Sequence, residues 1–121
     1  MAKANTSEPT IFHAHHYFAD MGARKLRPFA QLIRYKTVDE ALELLRYYPN
    51  RGARLLEKVV RSAMANAVQQ GVRRANELVV IEARIDGGPM WKRVDPRARG
   101  MAYLIRRRLA HIHVVLAPPG E

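Results

Sequence analysis

The chain contains no cysteine, which excludes disulfides, thiol catalysis and Cys-ligated zinc. It has no run of about 18 apolar residues, so no segment reads as a membrane-spanning helix. The first ten residues, MAKANTSEPT, lack the apolar stretch of a signal peptide and read as a short flexible tail. A cytoplasmic protein without a membrane partner is the expectation. Neither GxxxxGK[ST] nor GxGxxG occurs, which removes the common phosphate-cradling loops. Ser7 lies in the tail and Ser62 on a helix face, so Ser/His/Asp chemistry has no base to build on. The chain is expected not to be an enzyme and to carry no cofactor.

Acidic residues are scarce as well. Eleven Asp and Glu face 21 Lys and Arg, for a net charge of +10 and a pI near 10.7. Such an excess speaks of partners rather than of fold. A domain with pI above about 9 has the electrostatic footprint of a nucleic-acid binder. In the C-terminal half arginine greatly outnumbers lysine; its planar fork makes bidentate contacts to phosphate and stacks on bases, which an ammonium does not. With 121 residues and 48% hydrophobic content, the chain fits one domain with a modest core.

The first half has helical periodicity. Ile11 to Phe18 reads as a strand, ended by Gly22. Leu26, Ala30 and Ile33 recur at helical spacing over Ala23–Arg34, where Pro28 predicts a kink or a late start. Thr37-Val38-Asp39-Glu40 is a capping box, followed by the stripe Val38, Ala41, Leu42 and Leu45. Asp39, Glu40 and Glu43 then read as a solvated first turn that suits the helix dipole. Pro49 stops this helix and Asn50 is suited to cap the next, from about Arg51 to Gln70. Its apolar face is Leu55, Leu56, Val59, Val60, Ala63 and Ala67; Arg54, Lys58 and Arg61 mark another face, and Gly71 terminates it.

The period then changes to two. Val79, Ile81, Ala83 and Ile85 alternate with Val80, Glu82, Arg84 and Asp86. Ile112, Val114 and Leu116 alternate with His111, His113 and Val115 as a partner strand. Between them lies DGGPMWKRVDPRARGMAYLIRRRLA, residues 86–110. From 87 onward it carries seven cations (Lys92, Arg93, Arg97, Arg99, Arg106, Arg107 and Arg108) against one acid, Asp95. One reading is a flexible cationic loop. The other is a two-stranded ribbon, with arms of about twelve residues reaching roughly 40 Å. A bare ribbon is marginal in water, so it needs a surface to lie on, and its charge points to a polyanion. Trp91 and Tyr103 would stack on unpaired bases. Such a ribbon is expected to be mobile in the free protein and ordered on its partner.

His13, His15, His16, His111 and His113 become neighbours if the first strand pairs with the last, and His-x-His is a metal-ligand spacing. No cysteine and no nearby carboxylate completes a site, so no metal is expected. A metal-dependent hydrolase and a stand-alone DNA-bending ribbon protein remain the rival readings.

Several stretches also stand together in order: RKLRPFAQLIRYKTVDEALELL, LLEKVVRSAMANAV, GP-x-x-KR, PRARG and IRRR-x-x-HI-x-VV. From about Phe12 to Leu116 the chain resembles the universal large-subunit ribosomal protein family numbered twenty-two, in its bacterial form. The resemblance implies an α+β fold: three helices packed on a small three-stranded antiparallel sheet, with a long protruding β-hairpin at about 86–110. The domain would run over 11–117, with a C-terminal tail at 118–121. Implied partners are large-subunit ribosomal RNA, neighbouring large-subunit ribosomal proteins and the nascent peptide at the exit-tunnel wall. The implied role is structural, in a single copy rather than a homo-oligomer. On matching positions, Lys92 and Arg93 with Pro96, Arg97, Ala98, Arg99 and Gly100 would form the tunnel-lining tip region. Arg106, Arg107, Arg108 and His111 would clamp rRNA along the returning arm, and Arg24, Lys25 and Arg27 would contact it from the body. The chain departs from the family pattern at Pro28, Tyr47-Tyr48, Asp95, Met101 and Leu109-Ala110.

Overall fold

The computed structural model describes residues 11–96 and 98–118, with the side chains at 91, 93, 95 and 102–107 left out. The tail expected at 1–10, the last three residues of the one expected at 118–121, and Arg97 lie outside the described residues. In chain order the elements are β1 (Phe12–Ala19), α1 (Ala23–Ile33), α2 (Val38–Tyr47), α3 (Arg51–Gln69), a 3-10 turn at Ala75–Glu77, β2 (Val79–Pro96), a second short 3-10 turn at Ala98–Gly100 and β3 (Ala102–Ala117). All strands pair antiparallel in the order β1-β3-β2. This is the expected α+β architecture. Among the described residues no helix is long and apolar enough to cross a membrane.

Local chemistry explains most of the helices. At α2, Thr37 Oγ1 accepts from the Glu40 amide at 3.3 Å while Glu40 Oε1 accepts from the Thr37 amide at 3.4 Å, so both halves of the capping box form. Gly71 ends α3 at a φ of +96°, the left-handed region that only glycine occupies freely. Asn50 holds the N-cap position of α3 by backbone geometry, but its side chain makes no capping bond. Nor does Pro28 delay α1, which runs through it unbroken. The missing N–H forfeits one bond to the Arg24 carbonyl; both residues are exposed, so water can take its place.

The helices cover one side of the sheet. Leu26 and Ile33 of α1, Leu45 of α2 and Leu56 and Val60 of α3 are fully buried against Val80, Ile112, Val114 and Leu116. Each such side chain contributes roughly 1.5–3 kcal/mol through burial. The alternation expected for β2 fails at its start. Val80 is fully buried and Ile81 is exposed, because a bulge between Val80 and Glu82 inserts Ile81 and reverses the facing of everything before it.

The outer edge of β2 is occupied. Tyr35 N donates to Val80 O at 2.7 Å and Val80 N to Lys36 O at 2.8 Å. Farther along, the guanidinium of Arg34 donates to Ala83 O at 3.0 Å and that of Arg27 to Ile85 O at 3.4 Å. Arg27 of α1 and Arg34, the residue that caps its C-terminus, thus satisfy alternate carbonyls of an edge strand that would otherwise present them unpaired.

Candidate nucleic-acid interface

The β1–β3 ladder stops at Ala19↔Ala110, and the β2–β3 ladder continues with no third strand among the described residues. Seven successive pairs follow, from Met90↔Arg108 to Pro96↔Ala102. The segment 86–110 is therefore a ribbon and not a loop. The arm from Gly87 to Pro96 spans about 30 Å at about 3.3 Å per residue. That is shorter than the expected 40 Å, because β2 ends at Pro96 and residues 98–101 are taken up by the turn. Arg99, with φ of +64°, and Gly100, with φ of +72°, carry the chain round it.

At its base the ribbon bends. Gly88 and Pro89 on β2 stand opposite the single residue Leu109 on β3. A Cβ on Gly88 would lie 3.1 Å from the Leu109 carbonyl carbon and oxygen, so glycine there permits a backbone approach that any side chain would obstruct.

The predicted site residues fall into distinct places. Lys92 and Arg93 stand on the outgoing arm opposite Arg106 and Ile105, short of the turn. Pro96 ends that arm and Ala98, Arg99 and Gly100 form the tip turn, all exposed. Arg106 and Arg107 lie on the returning arm, paired with Lys92 and Trp91. Arg108 is exposed at the ribbon's root, and there it meets the body. It shares an open cleft of about 580 Å³ with Arg24 and Lys25 of α1 and Arg51 of α3. Gly22, the N-cap of α1, packs toward it: a Cβ there would sit 3.8 Å from Arg108 Cβ. The cleft thus brings together one residue from the predicted ribbon set and two from the predicted body set. Its carboxylate, Asp20, pairs with Arg51 at 3.3 Å. Arg27 stands apart from the cleft, one donor already given to Ile85.

His111 belongs partly to the fold. Its Nδ1 accepts from the Phe18 amide at 3.0 Å, so the ring proton sits on Nε2. This supports the β1 bulge between His16 and Ala19, where Phe18 has φ of +60°. The side of the sheet away from the helices carries a run of rings. His15 pairs across with His113 in register, their ring centroids 4.8 Å apart, and Tyr17 packs edge-on against His111 and His113. The strand pairing that the histidine reading required is present. Asp86 also stands beside it, its Oδ2 3.1 Å from His113 Nε2, a carboxylate that the sequence pattern alone does not bring there. Burial above all, and then Arg84, hold the His113 imidazole below its ordinary pKa of 6.5, against the opposing pull of Asp86. Among the described residues no group of three or more His, Asp or Glu is placed to hold a metal ion.

Two residues escape sequence reading. Arg51 reads in the sequence as a helix start, yet it closes the cleft. Glu57 is buried, with three arginines on its carboxylate: Arg46 at 3.3 Å, Arg54 at 3.1 Å and Arg61 at 2.9 Å. Arginines three residues before and four after a glutamate are the available signal for this cluster.

The family model described as ribosomal protein L22p/L17e matches residues 14–117. The large ribosomal subunit protein uL22 of Rhodopirellula baltica is 51% identical over 110 residues, covering 87% of this chain and 92% of that protein. The protein of the same name in Caldicellulosiruptor saccharolyticus is 48% identical over 99 residues, covering 82% and 81%. That in Akkermansia muciniphila is 43% identical over 100 residues, covering 83% and 89%.

Proposed function

Since the chain belongs to the ribosomal protein L22p/L17e family of the large ribosomal subunit, we propose that it acts as a non-catalytic rRNA-binding protein whose hairpin lines the nascent-peptide exit tunnel. Residues 11–117 then form one unit, a body that rests on large-subunit rRNA and a ribbon, about 86–110, that threads into it. Neighbouring ribosomal proteins and the nascent peptide are its other partners, and it works in a single copy in the cytoplasmic ribosome.

The observation that carries this reading is the ribbon with its cationic root. Between Ala110 and the tip no third strand joins it among the described residues, and it exposes Lys92, Arg99 and Arg108 together with Met90, Val94 and Met101. Cations alone suit a solvated arm. Exposed apolar residues between them suit an arm enclosed by a partner whose bases and sugars cover the apolar groups and whose phosphates take the charges. At the root, Arg24, Lys25, Arg51 and Arg108 would neutralise phosphates where the RNA passes from body to ribbon. Arg93, Arg97, Arg106, Arg107 and His111 extend the same contact by position.

Binding of the full chain to large-subunit rRNA over a salt series tests the reading. Replacing Lys92, Arg99 and Arg108 by alanine removes three phosphate contacts, and the slope of log K against log salt falls in magnitude by about 2–3. An unchanged slope counts against it. The DNA-bending reading instead predicts equal or tighter binding to duplex DNA.

A further inference from the structure

The rRNA path proposed above ends, on the body, at Arg51. The structure does not end its positive charge there. Arg51 lines both the cleft at the hairpin root and a second open pocket of about 300 Å³ along α3, shared with Arg54, Lys58 and Arg61. Residues 51, 54, 58 and 61 follow the three- and four-residue steps that place side chains on one helix face. They extend over roughly 15 Å of helix axis at about 1.5 Å per residue. Arg46 of α2 joins them through Glu57.

Five cations so close together repel one another, and a merely solvated helix face would intersperse acids. Here two carboxylates stand against them: Asp20, which meets Arg51 on the cleft side at 3.3 Å, and Glu57, which is turned inward. Glu57 is only 8% exposed, whereas its three arginine partners keep about half of their side-chain surface in solvent. Arg54 is further held by the carbonyls of Leu45 and Tyr48 at the end of α2. Glu57 therefore fixes the guanidiniums in place without covering their outward N–H groups. Lys58 stands among them exposed, with no ion pair among the described residues.

We propose that this flank of α3 is a second polyanion-binding track, which seats the phosphate backbone of an rRNA segment continuous with the one entering the cleft at Arg51. The inference rests on the rRNA-binding reading of the ribbon and extends it to a surface of the body. Fixed guanidiniums lose less conformational freedom on binding than free ones, so Glu57 is a positioning residue for the track. A protein partner fits the surface less well. Among the described residues Leu55, half-buried, is the one apolar residue lining the pocket and no aromatic residue joins it, whereas protein interfaces centre on apolar and aromatic groups.

Photo-cross-linking in intact large subunits tests the track, with a benzophenone side chain placed at position 58 or, in a separate preparation, at position 99 of the ribbon tip. A cross-link from 58 to rRNA is expected. A cross-link from 58 to a ribosomal protein alone, or none, overturns the track. Position 99 reports on the ribbon independently: rRNA contact at 99 without contact at 58 leaves the ribbon reading intact and removes only the α3 track. In solution, Lys58→Ala in the full chain is expected to lower the salt slope of large-subunit rRNA binding by about 0.7–0.9, one phosphate contact. An unchanged slope refutes it.

Discussion

His15 and His113 meet across the β1–β3 pair with their Nδ1 atoms 2.7 Å apart. Because Asp86 Oδ2 lies 3.1 Å from His113 Nε2, the Nε2 carries the proton and the His113 Nδ1 accepts from His15 Nδ1–H. A second charge on this pair would set N–H against N–H. Burial is the main cause that lowers the His113 pKa below 6.5; Arg84, His15 and His111 add to it and Asp86 opposes it. The folded state thus binds this proton less readily than the unfolded chain. The associated stability is fully present above about pH 6.5 and is lost as pH falls through the lower folded pKa. Denaturant melts from pH 7.5 to 5 should show the parent chain losing more stability than His113→Gln. Parallel curves for the two proteins would remove His113 from the pH response.

The hairpin root depends on Gly88. A methyl group on Gly88 would sit 3.1 Å from the Leu109 carbonyl, whereas one on Gly87 would meet nothing within 4 Å, so the two glycines should respond differently. Gly88→Ala should lower stability by about 1–3 kcal/mol through overpacking against backbone. Gly87→Ala should change it little. Equal thermal shifts in the two variants would contradict a close approach specific to Gly88.

Glu57 holds three guanidiniums at a buried position. The arginines are half-exposed, so water takes over much of their loss when the carboxylate goes. Glu57→Ala should therefore cost about 1–3 kcal/mol, in the range of hydrogen bonds to charged groups, while Glu43→Ala at an exposed α2 position should cost almost nothing. Chemical denaturation of both variants measures the difference, and a neutral Glu57→Ala would show that the cluster has no net effect on stability.

Much of the fold is legible in the sequence, and the limits have physical causes. The capping box at Thr37 is readable because both of its bonds span three residues. The ribbon is readable from alternation on either side of a charged segment. The facing of Val80 is not, because the bulge at Ile81 arises from register against β3 and leaves no mark in β2 itself. Asp86 reads as a strand residue remote from the histidines; only the β2–β3 register, which sets it opposite His111, carries it to His113. Glu57 is hidden for a related reason. Two of its arginines are helical neighbours, but Arg46 arrives from another helix, and packing of α2 on α3 buries the carboxylate. The cleft needs three separate elements to meet, and of its four cations Arg51 is the one that local pattern gives no reason to choose.

A two-stranded ribbon outside the core has only its own ladder to hold it. In the free chain, amide exchange over 90–96 and 102–108 should be much faster than over 82–86 and 112–116, where the third strand and the helices add protection. Binding to large-subunit rRNA should slow exchange in the ribbon by orders of magnitude. Equal protection of ribbon and body in the free chain would show that the ribbon is stable without a partner.

Whether the chain is held in the large subunit by its RNA-enclosed ribbon is decided by sedimenting the tagged full chain with ribosomal subunits through a high-salt gradient. One copy per large subunit is expected, retained because the ribbon is enclosed by RNA rather than held by surface charge alone. Release of the folded protein to the top of the gradient would contradict it.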